Sequence, residues 1–216
     1  MDRAIATGTH GRYLIEPPAS AGPAAVLVGF HGYSEGAEAQ LERMRRVPGA
    51  DRWLLVSIQA LNRFYQRRTN DVVASWMTRQ DRELAIADNL AYVNAVIAAV
   101  DGEYGAGMPL VLSGFSQGVS MAFRAAAGLS RRVDGVIAVG GDVPPELGPG
   151  TLEGVSGALV CHGTGDEFYT RVIFERDLRR LRNAGVTVRA LEFEGGHEWS
   201  DAVVEAASLF LRERWR

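Results

Sequence analysis

Along the chain, short apolar runs alternate with longer stretches whose apolar residues recur every three or four positions. The runs at 24–30, 53–58, 108–113, 133–141 and 158–162 are apolar almost throughout, as strands buried on both faces of a sheet must be. Residues 186–193 alternate apolar and polar side chains instead, which predicts a strand nearer the sheet edge. Between these runs, 38–46, 81–100, 119–128, 171–183 and 200–213 have the composition or spacing of helices. The expected inward positions are Leu41 and Met44; Leu84, Leu90, Val93, Ile97 and Val100; Val172, Phe174, Leu178 and Leu181; and Val203, Val204, Ala207, Leu209 and Phe210. Pro48-Gly49, Gly102, Gly128 and Gly185 mark helix ends, and Ser200 is placed to cap the last helix.

Three stretches are less regular. Residues 4–7 and 12–15 flank Gly8-Thr9-His10-Gly11 and predict an N-terminal hairpin with His10 in its turn, followed by a loop at Pro17-Pro18 and Gly22-Pro23. Residues 59–80 carry Phe64, Tyr65 and Trp76, which either line a substrate groove or pack against the body of the domain. Residues 142–157 are rich in Pro and Gly and too few to build a helical lid, so an active site here is expected to be open. The alternation of strands and helices implies a mainly parallel, twisted sheet with helices on both faces, in a single α/β domain over 1–216.

Composition narrows the function classes. With 216 residues and 47% hydrophobic content the chain can bury a sizeable core. A net charge of −3 offers nothing global to nucleic acid or anionic membranes, although all 23 basic side chains are Arg. Cys161 is the sole cysteine and lies in an apolar run, which excludes an internal disulfide and a cysteine metal cluster. The first residues lack a signal-peptide core, and the apolar region 84–100 is interrupted by Asp88, Asn89 and Asn94. A cytoplasmic protein with no membrane span is the expectation.

The chemistry centres on Gly114-Phe115-Ser116-Gln117-Gly118, a G-x-S-x-G sequence between a buried strand and a helix. That context makes it a nucleophile elbow, a tight turn that strains the serine backbone and exposes its hydroxyl at a helix N-terminus. His31-Gly32-Tyr33 ends an early strand, where such hydrolases hold the second oxyanion donor; the donors expected are the backbone N–H groups of Tyr33 and Gln117. His31 itself is expected to orient that loop, with general base as the alternative. Asp166 and His197 follow two later strands, completing the chain order Ser, Asp, His. A serine hydroxyl needs an imidazole to take its proton, and the imidazole needs a carboxylate to fix its tautomer. Asp142 and Glu167 are rival acids, and His162 is placed to support the acid loop.

The pentapeptide, the His31-Gly32 loop, the His162-Gly163-x-x-Asp166 loop and Gly196-His197 together resemble the phospholipase/carboxylesterase family of small α/β-hydrolases, best known for acyl-protein thioesterases. The resemblance covers most of the chain. It implies the α/β-hydrolase fold without a sizeable lid domain, puts Tyr33 and Gln117 at the oxyanion hole, and matches Trp76 to a tryptophan that precedes the long helix. Val119, Met77 and the run Glu167-Phe168-Tyr169-Thr170 depart from the family's usual residues. The expected activity is hydrolysis of esters, or thioesters, of small to medium acyl groups through an acyl-enzyme on Ser116. No cofactor and no metal are implied, and the expected partner is a small ester or thioester, with homo-oligomers left open. Phe64, Tyr65, Trp76 and Phe168 are the expected substrate contacts. A peptidase or amidase using the same three residues, and a non-catalytic binding protein on the same scaffold, are the alternative functions.

Overall fold

The apolar runs become the centre of a seven-stranded sheet because each has side chains to bury on both sides. The computed structural model describes residues 3–19 and 25–213. The predicted loop at Gly22-Pro23 and the first residue of the 24–30 run lie outside them. In chain order the elements are β1 (Arg12–Glu16), β2 (Val26–Phe30), α1 (Ala37–Arg45), β3 (Leu54–Gln59), β4 (Asn62–Tyr65), β5 (Val72–Ser75), α2 (Arg82–Tyr104), β6 (Leu110–Phe115), α3 (Gln117–Gly128), β7 (Gly135–Val139), α4 (Pro149–Leu152), β8 (Gly157–Gly163), α5 (Arg171–Asn183), β9 (Thr187–Phe193) and α6 (Asp201–Glu213). The main sheet has the order β1-β3-β2-β6-β7-β8-β9. Only the β1–β3 pairing is antiparallel within it.

Successive side chains of the central strands enter opposite cores, as the period of two requires. Val28, Val56, Leu112, Ala138 and Val160 face one layer, with Val93 and Ile97 of α2, Phe123 of α3 and Phe174 and Leu181 of α5. Leu27, Leu55, Val111, Ile137 and Leu159 face the other, with Leu41 and Met44 of α1 and Val203, Ala207 and Phe210 of α6. Cys161 lies buried in this second layer, where loss of solvation pushes its thiol up out of the titratable range. The helix α2 is long and apolar enough to cross a bilayer by length and composition, but its buried residues pack in the first layer.

Four expectations need correction. No N-terminal hairpin forms: residues 4–7 are not a strand, Ile5 is 91% exposed, and β1 pairs instead with the otherwise open edge of β3. A single isoleucine cannot bury a strand, whereas Tyr13, Leu14 and Ile15 find apolar layers beside β3. Within 59–80 the chain does form a hairpin, β4 with β5 antiparallel, closed by Gln66 N–H to Asp71 O (2.8 Å) and Asn70 N–H to Gln66 O (2.8 Å). Asn70 takes the left-handed turn position at φ 61°, a role the sequence does not advertise because no Asn-Gly or Asp-Gly follows. The third correction is that Gly102 lies inside α2, which ends at Gly105 instead. The fourth concerns Leu84, Val172 and Leu209, which point to solvent near the ends or outer rows of their helices.

Candidate active site

Because β2, β6, β7, β8 and β9 run parallel, the loops that leave them gather on one rim. The register levels the strand ends: Phe30 pairs with Gly114, Phe115 with Val139, Val139 with Cys161 and Gly163 with Phe193. Ser116 follows β6, Asp166 follows β8 and His197 follows β9. The loops after β8 and β9 are then joined beyond the sheet by Thr164 N–H to Phe193 O (2.9 Å) and Gly165 N–H to Gly195 O (2.8 Å). A Cβ on Gly163 would lie 2.2 Å from the Gly196 carbonyl oxygen, so this close approach admits only glycine.

Ser116 has φ 53° and ψ −121°, a conformation that a side chain rarely tolerates and that the elbow imposes. The turn is tight enough that a Cβ on Gly118 would sit 2.1 Å from the Phe30 carbonyl oxygen. The strained turn aims the hydroxyl at His197: Ser116 Oγ lies 2.8 Å from Nε2. On the far side of the ring, Nδ1 lies 2.8 Å from Asp166 Oδ2. The other carboxylate oxygen, Oδ1, accepts the backbone N–H groups of Phe168 (2.8 Å) and Tyr169 (2.9 Å), which fixes the plane of a carboxylate whose side chain is only 1% exposed. Phe115 and Phe168 flank the imidazole at centroid distances of 5.1 and 5.2 Å, so the ring has little room to turn away.

The Tyr33 loop is held from below. His31 is buried; its Nε2 accepts the Ala60 N–H (3.1 Å), which leaves Nδ1–H to donate to the Gly32 carbonyl (2.7 Å). Burial holds the His31 pKa below its ordinary value, against the opposing pull of Gly32 and Glu35. A neutral imidazole with both nitrogens used inside the core orients the loop and leaves no lone pair for a base. Glu35 accepts the Gly32 N–H (2.7 Å) and a bidentate pair from Arg43 at 2.7 and 2.5 Å. Burial is the largest single influence and would raise the Glu35 carboxyl, but Arg43 and the Gly32 N–H together outweigh it and the carboxyl stays below its usual range. The Arg43 guanidinium in turn lies 4.1 Å over the Phe115 ring. Among the described residues, no protein acceptor takes the backbone N–H of Tyr33 or of Gln117.

The remaining residues singled out in the sequence divide sharply. Trp76 is fully buried and donates Nε1–H to the His31 carbonyl (2.8 Å), so it supports the loop from the core and cannot touch substrate. Tyr65 is 67% exposed on the outer side of β4 and lines neither cleft described below. Phe64 stacks with Tyr33 at 5.7 Å, and Phe168 stands 78% exposed beside His197. Asp142 contacts Ser120 Oγ (3.3 Å) and Arg176 (4.0 Å) rather than His197, and Glu167 is exposed with no contact to the imidazole. His162 packs against Tyr169 and Phe174 beneath the acid loop. Among the described residues, no group of three His, Cys, Asp or Glu side chains could hold a metal.

Two clefts adjoin beside the serine, meeting at Gln117 rather than at Ser116 itself. One, of about 380 Å³, is bounded by Ser116, His197, Ser120, Arg124, Asp142 and Phe168. The other, of about 860 Å³, is bounded by Tyr33, Phe64, Arg63, Arg79 and Gln117, and the two share Met77, Arg82 and Gln117. Sequence reasoning passed over Met77 as a cleft residue, and Arg82 and Arg124 altogether. The spacing Gln117, Ser120, Arg124 puts the last on the elbow's own helix face, a signal that was there to find. Gln117 joins the halves: its Oε1 accepts the Trp76 N–H (2.9 Å) and its Nε2 donates to Ser75 Oγ (3.1 Å).

The phospholipase/carboxylesterase family model matches residues 14–214. No curated protein matches the sequence. Solved structures with a similar fold include esterase PE8 (24% identity, TM-score 0.75, covering 95% of this chain and 99% of that one). The Bacillus cereus carboxylesterase (17%, 0.75, 94% and 94%) and the Zea mays acyl-protein thioesterase 2 (17%, 0.75, 96% and 100%) are similar too. At these identities the likeness speaks for the α/β-hydrolase fold, and the family match adds the class. The chain belongs to the phospholipase/carboxylesterase family, a family of esterase- and thioesterase-type hydrolases.

Proposed function

We propose that this protein is a serine hydrolase that cleaves carboxylic esters of small to medium acyl groups, with thioesters as a second substrate class. The observation that carries the reading is the unbroken contact from Ser116 Oγ through the His197 imidazole to Asp166, 2.8 Å at each step. In the proposed reaction His197 Nε2 takes the Ser116 proton as Oγ attacks the acyl carbon. Nδ1–H donates to Asp166, whose charge stabilises the imidazolium. The oxygen of the tetrahedral intermediate is received by the backbone N–H groups of Tyr33 and Gln117. His197 then gives its proton to the departing alkoxide or thiolate, and a water activated by the same nitrogen releases the acid and restores Ser116.

The test is hydrolysis of p-nitrophenyl esters over a series of acyl lengths, with matched thioesters and anilides. The reading expects ester turnover that falls by about 10⁴-fold or more in Ser116→Ala. Turnover of anilides at rates comparable to the esters would favour an amidase. Equal rates for Ser116→Ala and the unaltered protein would remove the serine from the reaction.

A further inference from the structure

One edge of a buried guanidinium is left unmatched at the end of the smaller cleft. Arg124 projects from α3, and only 3% of its side chain is exposed. Nε and Nη2 both go to a single oxygen of Glu146, at 2.8 and 2.7 Å. Among the described residues the opposite nitrogen, Nη1, meets only the Met77 thioether, at 3.9 Å, and Arg124 and Met77 both line the cleft that contains Ser116. A thioether is a weak acceptor for a charged donor, and a buried guanidinium that lacks a full set of oxygens is costly. Burial accordingly depresses the Arg124 pKa, with Glu146 working against it.

The surroundings add positive charge. Arg82 lines both clefts and makes no ion pair among the described residues, and Arg63 and Arg79 line the larger cleft, which no Asp or Glu lines. Arg82 stands in the first turn of α2, where the helix dipole disfavours a cation, so the helix itself gives no reason for arginine there. Asp142 is the one acid on the wall of the smaller cleft, and it faces Ser120 and Arg176. In a chain of net charge −3, the site is locally cationic.

We infer that the substrate carries a carboxylate, received by Arg124 Nη1 with Arg82 at the rim, so that Arg124 determines specificity for anionic esters. The inference rests on the esterase reading above. The step from Ser116 to Arg124 spans about 12 Å of helix rise, and side chains tilt back toward the helix N-terminus. The charge therefore belongs about four or five bonds from the reacting carbonyl, the separation in a half-ester of a short dicarboxylic acid.

The experiment compares matched esters, with rates taken over the spontaneous reaction. In the acyl arm, mono-p-nitrophenyl glutarate is set against p-nitrophenyl pentanoate; in the leaving-group arm, 3-acetoxybenzoate is set against phenyl acetate. The expected result is a kcat/KM ratio favouring the charged ester by about 10- to 100-fold in one arm, the worth of one or two charge-assisted hydrogen bonds. That ratio should collapse toward one in Arg124→Met, stay partly intact in Arg124→Lys, and shrink in Arg82→Gln and in raised salt. A binding readout runs beside it: glutarate, and not pentanoate, should raise the melting temperature of the unaltered protein and of Ser116→Ala. If no ester is turned over but glutarate still stabilises, the esterase reading fails and the anion site stands. Ratios near one in both arms, or equal stabilisation by glutarate and pentanoate, overturn the inference whether or not Arg124→Met folds.

Discussion

Ser116 at φ 53° and ψ −121° is the most informative single conformation in the molecule, because a non-glycine residue is held there only if its surroundings insist. The tightness of the turn is what insists. Gly118→Ala would set a methyl 2.1 Å from the Phe30 carbonyl, backbone against backbone with nothing to rotate away. Loss of about 1–3 kcal/mol in a denaturant titration is expected, together with loss of ester turnover as the elbow shifts. Asp166→Asn tests the other end of the relay. It keeps the shape but offers His197 an amide in place of a charge, and kcat should fall by about 10⁴-fold with KM little changed. Binding of a substrate-sized acid, followed by calorimetry, should persist in that variant. His31 supplies a separate test through pH. Its pKa is lowered in the folded protein from a reference near 6.5, so the unfolded chain binds the extra proton. The sign follows: its contribution is fully present above about 6.5 and is lost as pH falls below it. The melting temperature of the unaltered protein should therefore drop between pH 7 and pH 5 more steeply than that of His31→Gln.

At the level of elements, the β4–β5 hairpin and α3 act together through Gln117, which reaches Ser75 and the Trp76 backbone. Replacing Gln117 with Ala leaves the backbone N–H that faces the oxyanion position but cuts the tether. It should cost about 1–2 kcal/mol of stability in a thermal melt. KM should rise more than kcat falls, because the larger cleft loses its wall. The central strands and their helices could be read because each carries a period that only one environment satisfies. The hairpin could not, since its six-residue connection is set by Asn70 and by backbone bonds from Gln66, which leave no repeating trace. Residues 12–15 were legible as a strand, but their partner was not, because pairing with β3 is decided by which edge is open. The positions of Ser116, Asp166 and His197 followed from strand ends in a parallel sheet; the burial of Trp76 depended on a tertiary contact with His31. Arg124 is hard to read from sequence because an arginine on a helix normally marks a solvated face, and its burial comes from tertiary neighbours, Glu146 of the 142–147 loop and Met77 among them.

Across the whole molecule, the loop from Asp142 to Leu147 stands where a lid would otherwise be, and its fastenings set the shape of the smaller cleft. Arg180 of α5 donates to the carbonyls of Val143 (2.7 Å), Pro144 (2.7 Å) and Leu147 (2.8 Å), while Asp177 accepts the Val143 N–H (2.9 Å). With only the four-residue α4 beyond it, the segment walls the cleft without covering it. Such an opening suits compact substrates that arrive from solution and leave again. Hydrolysis at this site requires that the Ser116 hydroxyl be activated by the imidazole 2.8 Å away. Intact-protein mass after exposure to a fluorophosphonate measures that directly. The expected result is one phosphonyl group per chain, mapped to Ser116, absent in Ser116→Ala and much slower in His197→Gln. Folded protein whose mass is unchanged after prolonged exposure would contradict it.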